Sequence, residues 1–348
     1  MNSRLSTEQQ LSTSIKAEAL RLGFFACGIA KAGPVDGNAA RSLASWLGDG
    51  CQAGMDYMAR NTDQRLDPRL LLPGARSVVC VAMAYAPARK MPAGEYQIAA
   101  YAYGQDYHDA VKARLRRLAA HIEQAAAGCG AQLQGEALAD TGAGSGPQAA
   151  TRVCCDTAPV LERYWAERAG LGWTGRNHQL IIPGAGSMFF LGEVITTIAL
   201  APDAPRAGSC GTCHACTSAC PTRALTPGGP LDARRCLSYQ TIENRGDIPP
   251  DIAAAMGNSI YGCDRCQAVC PHNRKAPTAT APELQPRDEL LAMRKADWQA
   301  LTPEAYRRLF KGSAVKRAKY EGLMRNIRAA GGEAADSADG RGQGSPMP

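Results

Sequence analysis

The sequence predicts an α/β domain joined to a small cysteine-rich module, and three observations carry that reading. Strand-like and helix-like stretches alternate through about the first 200 of the 348 residues. Eight of the fourteen cysteines crowd between Cys210 and Cys270, and a linker over 201–209, with two prolines and a glycine, separates the two parts.

Taken in order, Leu11, Ile15, Ala19 and Leu22 recur at helical spacing and Gly23 follows as a stop signal, which predicts a first helix. Ser77 to Ala86 is almost wholly apolar and rich in valine, a buried strand ended by Pro87. Val111, Leu115, Leu118 and Ile122 mark a second helix, with Lys112, Arg114, Arg116 and Arg117 on its wet side. The glycines at 142, 144 and 146 lack the preceding strand and following helix of a phosphate-binding loop, so they read as a loop. Thr151 to Cys155 reads as a strand, 156–158 as a turn, and Pro159 as the first residue of a helix running to Ala169. Asp156 then stands at the carboxyl end of a strand, where open α/β sheets place their chemistry, although a helix cap is the plainer reading. Gln179 to Ile182 and Ser187 to Ala199 are two further strands, with Gly192 marking a close approach.

The cysteine spacing is more specific. Cys210, Cys213, Cys216 and Cys220 before Pro221 form the C-x2-C-x2-C-x3-C-P run of bacterial ferredoxins, and Cys263, Cys266 and Cys270 precede Pro271. A 4Fe-4S cluster takes four thiolates, so the lone Cys236 completes the second set, giving two 4Fe-4S clusters in a ferredoxin-like domain. Because the fourth cysteine of a run ligates the other cluster, the sets are Cys210, Cys213, Cys216, Cys270 and Cys220, Cys236, Cys263, Cys266. Structural zinc usually shows two separated cysteine pairs, and a disulfide framework belongs to an oxidising compartment, so both are weaker readings. Cys27, Cys51, Cys80, Cys129, Cys154 and Cys155 show no ligand spacing and read as small buried hydrophobes.

The N-terminus is polar, without a secretory h-region or twin arginine, and no apolar run approaches membrane-spanning length. The expectation is a cytoplasmic protein that does not contact membranes. Net charge is +7, and residues 287–328 hold eleven Lys or Arg against five Asp or Glu. Lys311, Lys316 and Arg317 lie in that patch with Tyr306, Phe310 and Tyr320, a composition suited to a phosphate backbone or to a plain solvated face. Residues 331–348 lack apolar periodicity and read as a disordered tail. The domains expected are 1–200, 201–285, a basic segment over 286–330, and that tail.

Together these residues resemble the epoxyqueuosine reductase family. The resemblance covers about residues 10–328 and rests on Arg65-Leu-Asp-Pro-Arg, Tyr103-Gly-Gln-Asp-Tyr-His, Asp156-Thr-Ala-Pro-Val-Leu-Glu-Arg, Ala166-Glu-Arg-Ala-Gly-Leu-Gly, the eight cysteines and Lys311-Gly-Ser-Ala. It implies a nitroreductase-like N-terminal domain that binds cob(II)alamin in a groove against the cluster domain. It also implies reduction of the epoxide of epoxyqueuosine at the wobble position of tRNA for Tyr, His, Asn and Asp. Asp156 matches the family's proton donor, and burial in such a pocket would raise its pKa. Arg65, Arg163, Leu180, Leu191, Ser238, Cys263 and Asp264 match cobalamin-contacting positions, and Tyr103, Asp106 and His108 line the same groove, His108 reading as a structural histidine. The resemblance makes Lys311, Lys316 and Arg317 a platform for the tRNA anticodon stem-loop, with the neighbouring aromatics stacking on bases. A monomer fed by an external one-electron donor such as flavodoxin or ferredoxin completes the expectation. The glycine-rich stretch before Asp156 looks like an insertion, and the helical repeats of longer family members are lacking. A reductive dehalogenase would share the cofactors but has no use for a tRNA platform, and an electron-transfer adaptor would hold clusters without a corrinoid.

Overall fold

The computed structural model describes residues 5–128 and 149–332. Cys129, the glycines at 142, 144 and 146, and the tail from 333 onward lie outside the described residues. Four strands form the central sheet: β1 (Ala26–Lys31), β2 (Ser77–Ala84), β3 (Thr151–Cys154) and β4 (Phe189–Thr196), in the order β1-β2-β4-β3. Every pairing is antiparallel, so the alternation of strands and helices builds a mixed helix–sheet domain rather than parallel α/β layers. The reason lies in β2. Val79, Val81 and Met83 point into one core and Val78, Cys80 and Ala82 into another. A strand covered on both faces reads as one apolar run whichever way its neighbours travel.

The first core is made by α1 (Thr7–Arg21) and α2 (Tyr107–Gly128), whose Leu11, Ile15, Val111, Leu115, Leu118 and Ile122 lie on the sheet. Gly192 of β4 is the close approach expected, since a Cβ there would sit 2.8 Å from Leu115 Cδ1. On the other face α3 (Glu162–Arg168) supplies Trp165 and Ala166. This helix starts at Glu162, not at Pro159. The intervening chain is spent on tight turns, with the Thr157 N–H donating to Cys155 O and the Val160 N–H to Ala158 O, so proline's fixed φ serves the turn. Cys80, Cys154 and Cys155 are fully buried, and burial raises each thiol. No helix among the described residues is long and apolar enough to cross a membrane.

A further core joins distant parts of the chain. Tyr96, Ile98 and Tyr103 pack with Ile260 and Tyr261 and with Trp298, Phe310, Val315, Leu323 and Ile327. Gln97–Ile98 also pairs in parallel with Ser259–Tyr261. The last helix, α4 (Lys319–Gly331), is bolted here by Asn326, which is fully buried and whose Nδ2 donates to Thr241 O and Ile260 O at 2.8 Å each. Truncating it leaves two buried carbonyls without donors. Asn326→Ala is expected to lose about 1–3 kcal/mol in urea unfolding; a change within the error of the midpoint would show that helix α4 is held by its apolar face alone.

Candidate active site and cluster module

Asp156 follows β3 and has a left-handed backbone, φ 59°. Its N–H donates to a Glu162 carboxylate oxygen, which fixes the turn onto α3. The side chain caps no helix. It reaches across to the start of α2, where Oδ2 accepts from Tyr107 Oη and meets His108 Nε2, both at 2.9 Å. The other imidazole nitrogen, His108 Nδ1, meets Asp106 Oδ1 at 2.7 Å. The Tyr107 ring is sandwiched between His108, centroids 4.1 Å apart, and Phe190, centroids 4.3 Å apart. One turn of helix therefore presents a histidine held between two carboxylates.

The electrostatics correct the expectation for Asp156. Burial pushes its carboxyl up, but the hydrogen bond and charge of His108, the Tyr107 hydroxyl and Lys112 together bring it below the ordinary value. For His108 burial works downward, and the bonds and charges of Asp106 and Asp156 reverse this, raising the imidazole to about 9. At neutral pH the proton of this pair resides on the histidine. The contact of His108 with Asp156 was hidden in the sequence because the two lie 48 positions apart.

The cysteines converge in two sets. Cys210, Cys213, Cys216 and Cys270 line one pocket with Arg176, Asn177 and His272. In the second set Cys236 feels the charge of Cys220, and Cys266 that of Cys263 and Cys236. Four cysteines around one pocket are the donor set that a 4Fe-4S cluster takes, and the presence of Cys270 among them is the crossing that the ferredoxin spacing demands. A polar clamp ties this module to the sheet. Gln267 Nε2 donates to Tyr85 Oη at 2.8 Å, Ser187 Oγ donates to Gln267 Oε1 at 3.0 Å, and the Ala100 N–H donates to Asp264 Oδ2 at 2.7 Å.

With this geometry in view, comparison with known proteins is decisive. Residues 65–141 match the family model described as epoxyqueuosine reductase QueG, DUF1730, and residues 209–273 match the 4Fe-4S double cluster binding domain. The epoxyqueuosine reductase of Cellulophaga algicola is 39% identical over 323 residues, 93% of this chain and 99% of the relative. That of Leadbetterella byssophila is 41% identical over 316 residues, 91% of this chain and 97% of the relative. The chain belongs to the epoxyqueuosine reductase family. Among solved structures, an epoxyqueuosine reductase crystallised with an epoxyqueuosine-modified tRNA-Tyr stem loop superimposes with a TM-score of 0.81 at 28% identity, covering 93% of this chain and 81% of the other.

The remaining residues singled out in the sequence distribute as follows. Arg65 is 7% exposed, its Nη2 donates to Tyr57 O at 3.3 Å and its Nε has no partner. Leu180 is buried in the core on the α3 face of the sheet, Leu191, Ser238, Cys263 and Asp264 are half-buried, and Arg163 is exposed on α3. Burial raises the Asp264 carboxyl to about 6. Tyr57 feels the charges of Glu243, Arg317, Asp156 and Arg65, so the loop that carries it connects the Asp156 side to the basic patch. Within that patch Arg317 forms a two-pronged pair with Glu243, 2.9 and 2.7 Å, and Arg325 is engaged with backbone carbonyls of Gln240 and Asn244. Lys311 and Lys316 are exposed. The aromatic residues expected to stack on bases do not point outward. Tyr306 and Phe310 are core residues, and Tyr320 Oη donates to Leu301 O.

One buried group went unnoticed in the sequence. Glu193 of β4 is fully buried with neither carboxylate oxygen partnered, beside Cys80 and Cys154 in register. Burial raises its carboxyl well above the ordinary 4.5, and repulsion from Glu162 and Asp156 adds to this. A folded-state pKa raised above the unfolded value means that the folded chain binds the extra proton, so stability is lost as pH rises from 4.5 toward the folded value. Glu193→Gln is expected to be the more stable protein at neutral pH, by a margin that grows as pH climbs and vanishes below 4.5; parallel melting curves for both proteins across that range would contradict the assignment.

Proposed function

We propose that the chain reduces the epoxide of epoxyqueuosine to give queuosine at the wobble position of tRNA, with Asp156 as the residue that passes a proton to the departing oxygen. The observation that carries this reading is the placement of Asp156. A carboxylate on a left-handed turn, hydrogen-bonded to two proton-bearing side chains, faces the same loop as the basic patch that borders the cluster module. Breaking a carbon–oxygen bond by reduction needs electrons and an acid at one place, and in this reading the clusters supply the first and Asp156 the second.

In this reading the two cysteine sets hold two 4Fe-4S clusters that pass single electrons inward from an external donor such as flavodoxin or ferredoxin. The nitroreductase-like sheet domain and the cluster module clasp cob(II)alamin between them. The unpartnered Arg65 Nε is a donor suited to the amide and phosphate rim of a corrinoid, together with the exposed Arg163, while Leu180 and Leu191 supply apolar contact and Ser238, Cys263 and Asp264 the opposite wall. When bound, the corrinoid supplies a low-potential metal centre for the reduction. The protein's own residues orient the base, exclude water and manage the proton. Lys311 and Lys316 hold phosphates of the anticodon stem-loop, and Arg317 contributes charge while paired to Glu243. In this reading the chain acts on tRNA as a monomer in the cytoplasm.

The reading is tested with an epoxyqueuosine-modified anticodon stem-loop under anaerobic conditions. Asp156→Asn should retain iron and cobalamin yet lose at least about 10²-fold in single-turnover rate; near-normal turnover would remove Asp156 from the mechanism. Cys236→Ala should lower bound iron from about eight to about four per chain. Joint replacement of Lys311 and Lys316 by Gln should weaken stem-loop binding and lower the slope of log affinity against log salt by about 2. An unchanged slope would make the patch a solvated face.

A further inference from the structure

Removing an epoxide oxygen to restore a carbon–carbon double bond takes up two electrons and two protons. Both carbon–oxygen bonds break and the oxygen leaves as water. Asp156 can carry one proton at a time, and its carboxylate is ionised at neutral pH. To act as an acid, an ionised carboxylate needs a proton source within reach. Only two side chains donate to Asp156 among the described residues, Tyr107 and His108.

Resting on the function proposed above, we infer that His108 is the proton store for the reaction: its Nε2–H bond breaks as Asp156 Oδ2 takes the proton, and Asp156 then delivers it to the epoxide oxygen. The imidazole is reprotonated from solvent between the two transfers, which its partly exposed side chain permits. Asp106 is the orienting partner. Its Oδ1 accepts from the His108 backbone N–H at 3.0 Å and meets Nδ1 at 2.7 Å, so it aims Nε2 at Asp156 and supports the positive ring.

Tyr107 is the weaker candidate. Burial and the charge of Asp156 raise its hydroxyl far above its ordinary value, so it stays a hydrogen-bond donor and gives up no proton. Of the other charged groups nearby, Glu162 from α3 faces the imidazole, Lys112 on the same helix faces Asp106 and Asp156, and Tyr261 faces Asp106. None of these bonds to His108. Because His108 touches Asp156 and not the substrate, it is a positioning residue whose contribution shows in pH dependence.

The experiment is a single-turnover pH profile of the holoenzyme with reduced clusters and the modified stem-loop. The wild-type rate should stay level through neutral pH and fall as pH rises past about 9, where His108 loses its proton. In His108→Gln the fall should begin below neutral pH, so that the rate drops by roughly 10²-fold at alkaline pH and far less in mild acid. Asp106→Asn keeps the ring and removes one of its two carboxylates, and should move the limb to an intermediate position. It also serves if the glutamine variant folds poorly. A uniform loss at every pH, with the limb unmoved in either variant, would make His108 a scaffold residue and overturn the inference while leaving the proposed function intact. Absence of wild-type turnover would overturn both.

Discussion

Everything in this molecule depends on the rigid joint between the cysteine module and the sheet. Gln267 is the residue next to Cys266, and its buried amide is shared with Tyr85 and Ser187. Asp264 is the residue next to Cys263, and it accepts from the backbone of Ala100. The loops that bear the sulfurs are thus held by polar groups buried at the seam, where a lost partner costs more than a lost surface contact. An apolar seam of the same area would hold the parts together with less control over their relative placement. A path for electrons that ends at a defined substrate bond benefits from the stricter joint.

The sheet domain adds a second constraint. Asp156, Tyr107 and His108 come from two segments far apart in sequence, and they meet because β3 and α2 both pack on β4. The stacked rings of His108, Tyr107 and Phe190 fix the donors before any substrate arrives. Dipoles set in place during folding need little rearrangement during reaction.

Much of this was legible in the sequence. The helices at Leu11–Leu22 and Val111–Ile122 and the strand from Ser77 follow from periodicity and run length, because their cores are local decisions of burial. The gathering of Cys210, Cys213, Cys216 and Cys270 at one pocket follows from spacing, because ligand geometry leaves few alternatives. Strand direction was not legible, since an apolar run carries no sign of whether its neighbours run with it or against it. The start of α3 was misplaced because Pro159 suits a turn as well as a helix. The protonation of Asp156 was reversed for a different reason. Burial can be guessed from a motif, but a histidine delivered by another segment cannot. The aromatics at Tyr306 and Phe310 looked like an RNA surface beside so many cations, yet their neighbours at helical spacing enclose them in a core.

That core draws on residues from Met91 to Ile327. During synthesis, Tyr96 and Tyr103 leave the ribosome long before Trp298 and Leu323 can cover them. Long-range closure of this kind is slow and leaves apolar surface exposed to aggregation. A chain cut short before Trp298 would leave those rings without the part of the core that Trp298, Phe310, Val315, Leu323 and Ile327 supply.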